Sequence, residues 1–193
     1  MGKGDVAIDT VQGSAAKAEI GCGALEVPQI DASVWLAWTG RGLSHLLWAD
    51  AGAGRPAEIA VTVPEREIPA RYAETLMRYF AGEPVDPVEL PVDLHGTEFQ
   101  LRVWNALRAV PRGSVRSYAG IAIDVDSPRA TRAVGMANAS NPVAIVVPCH
   151  RVVEKDLSIG GYSAGLKIKR FLLALEGVNV AADHVSAGQL SLI

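Results

Sequence analysis

Between residues 83 and 91 the chain reads Glu-Pro-Val-Asp-Pro-Val-Glu-Leu-Pro, and this segment constrains the fold more than any other. Pro84, Pro87 and Pro91 each lack an amide proton and lock φ near about −65°, so the segment continues neither a helix nor a central strand. It predicts a linker over residues 84–95, joining an N-terminal part (1–83) to a C-terminal part (96–193). The two sides differ in charge. Residues 1–95 carry 7 Lys/Arg against 14 Asp/Glu, a balance of −7, whereas residues 96–177 carry 11 against 6, a balance of +5. The net charge of the 193 residues is −3, yet the basic side is the one suited to a polyanionic partner. An ordinary solvated surface accounts for the charge equally well.

A hydrophobic content of 49% is enough for a proper core. No apolar run reaches the roughly 18 residues of a membrane span, and residues 1–20 contain acidic side chains and no continuous apolar block. The expectation is a cytoplasmic protein without membrane contact. Residues 1–17, rich in Gly, Ala and polar side chains without periodicity, predict a mobile leader. Residues 34–38 and 44–48 flank Thr39-Gly40-Arg41-Gly42 and predict a β-hairpin, and a further strand is expected over 59–63. Tyr72, Leu76 and Tyr79 or Phe80 fall at helical spacing, predicting a helix over 71–80 that Gly82 and Pro84 stop. This side therefore reads as a small α+β domain.

Beyond the linker, Thr97-Glu98-Phe99-Gln100 has the form of a capping box and opens a helix over 98–109. Ser117 is placed to cap a short helix through Ala122. Ser127 before Pro128 predicts an N-cap followed by a first-turn proline, for a helix over 128–139. Two short helices joined tightly suggest a helix-turn-helix, by itself a weak signal. Residues 143–147, Val-Ala-Ile-Val-Val between two prolines, predict a buried strand or extended segment that delivers Cys149 to its end. Ser163 is placed to cap a last helix through Leu175, with Ile168, Leu172 and Leu175 buried and Lys167, Lys169 and Arg170 exposed. The residues after Gly177 carry no readable signal. The four tryptophans, Trp35, Trp38, Trp48 and Trp104, read as core.

The two cysteines, Cys22 and Cys149, are too few for a disulfide framework or a four-thiolate zinc site. Cys22 with His45 or His95 has no diagnostic ligand spacing, and no metal is expected. Cys149 precedes His150 and Arg151, and a thiol beside a base and a cation is a nucleophile in waiting. A buried structural cysteine fits the same adjacency. Alternate side chains of a strand point to opposite faces, so a direct bond from Cys149 to His150 requires a kink at Pro148 or a bridging water. Glu176, before Gly177, is placed to orient the imidazole.

The string Asn141-Pro142-Val143-Ala144-Ile145-Val146-Val147-Pro148-Cys149-His150-Arg151-Val152-Val153 resembles the signature of the O6-alkylguanine-DNA alkyltransferases, also called methylated-DNA–protein-cysteine methyltransferases. Gly96-Thr97-Glu98-Phe99-Gln100, Val103-Trp104, Pro111-Arg112-Gly113, Ser117-Tyr118, Arg132-Ala133-Val134-Gly135, Ala137-Asn138, Gly160-Gly161-Tyr162 and Glu176-Gly177 are similar to the same family in the same order. The resemblance is strong over 96–177 and loose before it. It implies an α+β fold with a small ribonuclease H-like α/β N-terminal domain. The C-terminal domain it implies is mostly helical, with a winged-helix-like helix-turn-helix.

The resemblance implies a function too: DNA repair by one irreversible transfer of an alkyl group from O6-alkylguanine, less well from O4-alkylthymine, to Cys149. His150 would be the water-linked base, Glu176 its anchor, and Asn141 the brace of the turn that positions the thiol. Tyr118 would hydrogen-bond the departing base, and Tyr162, Ser163 and Val152 would line its pocket. The partner would be alkylated double-stranded DNA, entered through the minor groove by a monomer with the damaged base flipped out. Arg132 would fill the gap left in the stack, while Ser117, Tyr118, Gly135 and Ala137 would meet the DNA; no cofactor is needed. Asp126, Leu157 and Ala164 stand where the family commonly has glycine, and Asp124 and Asp126 add negative charge near the DNA face. Three rivals remain: a thiol hydrolase using the same Cys-His-Glu set, which would turn over; a lesion sensor that binds damage without repairing it; and a transcription factor, which the helix pair permits but which leaves Pro148-Cys149-His150-Arg151 without a purpose.

Overall fold

In the computed structural model residues 20–189 are described, so the leader expected over 1–17 lies outside them. Three strands, β1 (Gly21–Val27), β2 (Ala32–Trp38) and β3 (Leu43–Asp50), form an antiparallel sheet in chain order. The expected hairpin is β2–β3, closed by the Thr39 amide on the Gly42 carbonyl at 2.9 Å. Every residue of β2 is buried, because both of its faces are covered. Val34, Leu36 and Trp38 enter the main core, while Trp35 and Ala37 pack with Cys22 and Ile59. Strand β1 carries no strong strand signal, since two of its residues are glycine. Their smallness is a packing requirement: a Cβ on Gly21 would lie 2.6 Å from the Trp38 ring, and one on Gly23 would lie 2.9 Å from the Arg66 carbonyl.

The strand expected over 59–63 does not form. That segment turns between Pro56 and Pro64, and the Arg55 guanidinium satisfies its carbonyls at Ala60, Val61 and Val63. Only Ile59 is buried there, beneath the outer face of the sheet. Helix α1 (Ala70–Phe80) buries Tyr72, Leu76, Tyr79 and Phe80 and gives way to Gly82 at φ +79°, where glycine avoids the left-handed penalty. The proline segment is tied down on both sides. Leu43 donates to Pro91 and receives from Asp93, and Arg108 reaches the Val88 carbonyl at 2.5 Å. The main core draws side chains from both sides of this segment, from Val27 to Leu172.

The capping box at Thr97 forms as expected and opens α2 (Glu98–Arg108). Strand β4 (Arg116–Ser117) leads into α3 (Tyr118–Asp124), whose first turn the Ser117 hydroxyl caps by accepting from Gly120 at 3.0 Å. Helix α4 (Thr131–Ala139) begins three residues later than its serine-proline signal, with no side-chain cap. Asp126 takes φ +54°, the Ser127 amide closes α3 by donating to Ala122, and residues 127–130 make their own turn. Ser127 is thus spent on ending one helix rather than starting the next.

The residues expected as a strand over 143–147 are fully or nearly buried but turn instead. Val147 donates back to Val143 at 2.9 Å, with Ile145 at φ +71°, an unusual conformation for a β-branched residue. Beyond Cys149 comes β5 (Val152–Val153), parallel to β4, then α5 (Leu166–Leu175). Gly165, at φ +88°, stands at the N-cap in place of Ser163, and Lys169, expected at the surface, is fully buried. After Gly177 a small hairpin, β6 (Val180–Ala181) with β7 (His184–Val185), seals a second core around Val115, Val153, Ile159 and Leu173. The α+β class holds. Among the described residues no helix is long and apolar enough to cross a membrane.

Candidate active site

The site is built where the proline-bounded turn meets the sheet edge. Leu46 of β3 donates to Pro142 and accepts from Ala144, at 2.8 and 3.0 Å, which fixes the turn against the N-terminal sheet. Asn141 closes the same turn from within. Its carbonyl oxygen accepts from Val143 at 3.0 Å, and its amide nitrogen reaches both the Val147 carbonyl at 2.8 Å and the Cys149 sulfur at 3.1 Å. One side chain therefore shapes the loop and touches the thiol. Opposite, Trp104 of α2 donates to the Ala137 carbonyl at 2.8 Å and holds α4 in place.

Cys149–Arg151 forms one 3-10 turn rather than the end of a strand. Successive residues of such a turn point about 120° apart, so Cys149 and His150 face different ways, and it is the Glu176 carboxylate that brings the His150 and Arg151 side chains together. His150 Nε2 lies 2.9 Å from Glu176 Oε1, at the end of α5. Arg151 places Nε 2.8 Å from Oε2 and Nη2 3.0 Å from Oε1 of the same carboxylate, and also donates to Asp86 and Val110. Tyr79 of α1 donates to Glu176 Oε1 at 2.7 Å. His150, Arg151, Tyr79 and Glu176 are all buried.

Charge follows from this geometry. Burial by itself raises the Glu176 carboxyl, but His150 and Arg151 overturn that and hold it well below the usual carboxylate range. A carboxylate accepts only, so His150 Nε2 carries the proton between them and Nδ1 is the basic end of the ring. Nδ1 is buried and has no hydrogen-bond partner among the protein atoms described. Burial lowers the His150 pKa against the pull of Glu176, so the ring rests neutral. Burial raises the Cys149 pKa, opposed by the Asn141 hydrogen bond and by Lys169, so the sulfur rests as a thiol. The pair is a protonated thiol beside a neutral imidazole, an arrangement from which a thiolate can be generated.

The other expected residues divide. Tyr118 opens α3 and lies half-buried beside Asn138, Glu154 and Cys149. Tyr162 brings a buried hydroxyl near Cys149 and Trp48, while Ser163 is exposed and borders two cavities. The smaller, about 190 Å³, is lined also by Asn141, Ala144, Trp48 and Glu58; the larger, about 390 Å³, continues along Ala49, Asp50 and Lys167. Cys149, only 3% exposed, lines neither. Val152 is core, offering its carbonyl to Lys169.

Arg132 is exposed on the first turn of α4, and Gly135 has open space where a Cβ would stand. Ala137 faces α2 and is buried, so it is not on that outer surface. The Ser117 hydroxyl is occupied as a cap. Asp124 is matched by the bidentate Arg116, at 2.9 and 2.6 Å, which offsets its charge near the helix pair. Cys22 is buried in the sheet, and among the described residues no cluster of three or more His, Cys, Asp or Glu forms. Tyr79 and Lys169 were missed as parts of the site, and Arg151, expected as the cation beside the thiol, turns its guanidinium to Glu176 and Asp86 instead. The apolar spacing that placed Tyr79 in a core is blind to its hydroxyl.

Comparison with known proteins agrees with this geometry. The family model described as the DNA-binding domain of 6-O-methylguanine DNA methyltransferase matches residues 98–178. The chain is similar to the methylated-DNA–protein-cysteine methyltransferase of Methanosarcina acetivorans, at 51% identity over 53% of this chain and 65% of that protein, just under two thirds of its length. It is also similar to the protein of the same name from Methanosarcina barkeri, at 41% identity over 76% of this chain and 92% of that one. Among solved structures it resembles the Mycobacterium tuberculosis OGT in complex with DNA. The TM-score is 0.70 at 36% identity, over 81% of this chain and 92% of that one. With the thiol, its neighbouring imidazole and the buried carboxylate in place, the chain belongs to the methylated-DNA–protein-cysteine methyltransferase family.

Proposed function

We propose that this chain repairs duplex DNA by moving the alkyl group of O6-alkylguanine, and less readily of O4-alkylthymine, onto its own Cys149 in a single turnover. The observation that carries this reading is the buried arrangement in which Asn141 contacts the sulfur while Glu176 fixes the tautomer of the adjacent His150. A water between the sulfur and His150 Nδ1 passes the thiol proton to the ring. The thiolate attacks the alkyl carbon in line, the S–C bond forms, and the C–O bond breaks with its electron pair on guanine. The hydroxyl of Tyr118 donates to the departing base, which makes it a better leaving group and gives it a proton, and the proton held on His150 passes through solvent to restore the tyrosine. A thioether does not hydrolyse under mild conditions, so the protein is consumed and needs no cofactor.

A base inside a duplex must be turned out before a thiol can reach it. The exposed Arg132 on α4 occupies the vacated stack, and the open surface at Gly135 lets the helix approach the minor groove, where sequence readout is weakest. Ser117 contributes at the start of α3, and Tyr162 and Ser163 border the extruded base, with Val152 behind them. Residues 96–193 carry both the chemistry and the DNA contacts, with 84–95 as the joint to the N-terminal part, and one monomer suffices for the reaction. The compartment is the cytoplasm, where DNA is at hand and a thiol stays reduced.

The test is intact mass after incubation with DNA holding one O6-methylguanine, beside Cys149→Ser. A stoichiometric gain of one methylene, mapped to Cys149 and absent from the variant, is expected. Binding without a mass gain would assign a lesion sensor, and more than one product per protein would assign a hydrolase.

A further inference from the structure

The Glu176 carboxylate serves more than the imidazole. Oxygen Oε1 receives three donors: His150 Nε2 at 2.9 Å, Tyr79 Oη at 2.7 Å and Arg151 Nη2 at 3.0 Å. The Tyr79 hydroxyl comes from the N-terminal part, across 97 residues of chain, and no atom of this contact is at the surface. Its ring is held edge-on to Phe80, which in turn meets Trp48 edge-on, at centroid separations of 5.7 and 5.9 Å. The hydroxyl is therefore positioned by packing and is not free to swing away.

We infer that Tyr79 is a positioning residue for the reaction: by sharing Glu176 Oε1 with His150, it limits how much carboxylate charge the imidazole feels and so sets how readily His150 takes and gives up the thiol proton. This rests on the reading of His150 as the base. Tyr79 acts as donor only, because burial first, and then the Glu176 charge, push its phenol well above the ordinary range. An acceptor with three donors spreads its charge among them, and a donor removed leaves more for the rest. The other charged or titratable groups around the pair are Arg151 on the 3-10 turn, Asp86 behind Arg151, Lys169 on α5, Cys149 and Tyr162. Arg151 and Lys169 oppose protonation of His150, whereas Glu176 favours it. Tyr79 acts on the favouring side, as a brake upon it.

Tyr79→Phe removes the hydroxyl and keeps the ring. In the variant the imidazolium is better stabilised, so the His150 pKa rises by about half a unit to one unit, the scale of one hydrogen bond. The primary readout is an NMR titration of the His150 imidazole in the resting protein, parent against Tyr79→Phe, with thermal melting to show that both are folded. A rise of that size supports the inference, while an unchanged or lowered His150 pKa in a folded variant overturns it. The second readout is the pH profile of Cys149 alkylation in single turnover, whose acid limb moves to higher pH by the same amount. A fall in rate at every pH with the acid limb unmoved marks a structural role only and overturns the inference. If the parent is never alkylated, the functional reading fails, yet the titration still decides whether Tyr79 governs the imidazole.

Discussion

Lys169→Met tests the electrostatics of this core most directly. The ammonium is fully buried and donates to the carbonyls of Val152 at 2.7 Å and Gly161 at 3.2 Å and to that of Ile159. Burial lowers its pKa from 10.5 to about 8, although Cys149 and Glu154 pull it upward. Below about pH 8 both folded and unfolded chains hold the proton and burial penalises the fold; between that pH and the unfolded value the unfolded chain binds more protons, so stability rises with pH. From about pH 7 to about pH 9.5 the parent gains about 2 kcal/mol from this residue. The methionine variant has no such group and gains nothing.

At neutral pH the variant loses three hydrogen bonds, each of about 1 kcal/mol or more, but is relieved of a burial penalty of about 3 kcal/mol, so the two chains differ little there. Urea unfolding of both chains at the two pH values measures the difference, and the parent's advantage should widen by about 2 kcal/mol at the higher pH. Making both chains in a Cys149→Ser background removes the thiol that titrates nearby. An advantage that stays constant within about 0.5 kcal/mol, or shrinks, would refute the argument that this lysine is a penalised buried charge.

Asn141→Ala deletes the donor to the Cys149 sulfur and two bonds of the turn; alkylation at neutral pH should slow at least about tenfold and stability should fall by about 2–4 kcal/mol, read by single-turnover kinetics and urea titration. Arg132→Ala should leave stability within about 0.5 kcal/mol, since the side chain is exposed, while alkylation of Cys149 by duplex DNA drops far more than its alkylation by the free modified base. Asp126→Gly should raise stability by about 0.5 kcal/mol, because Asp126 is exposed at φ +54° and glycine adopts that conformation without a Cβ clash; a lowered melting temperature would count against this.

Much of the site was legible because its chemistry is local. Cys149, His150 and Arg151 are neighbours, the capping box at Thr97 and the cap at Ser117 lie within one turn of the groups they satisfy, and Asn141 sits at the edge of the loop it braces. The serine signals at 127 and 163 misled for a reason of the same range: each competes with a nearby left-handed residue, Asp126 or Gly165, and the backbone satisfies itself another way. The apolar run over 143–147 correctly announced burial. It could not announce a turn, because burial in a strand and burial in a turn require the same side chains.

By itself the sequence determined the α+β class, the candidate thiol with its neighbouring imidazole and the helix starts whose caps are local, since each depends on residues a few positions apart. Only the tertiary structure decided that Lys169 is inside, that Arg151 and Tyr79 join His150 on one carboxylate, and that Ala137 turns away from the surface that bears Arg132. Each of these joins side chains many residues apart, and a pattern of periodicity records which face of an element is apolar but not which distant element will cover it. Burial of a charge or a hydroxyl is tolerable only when its partners arrive from elsewhere in the chain, and that arrival is a property of the fold.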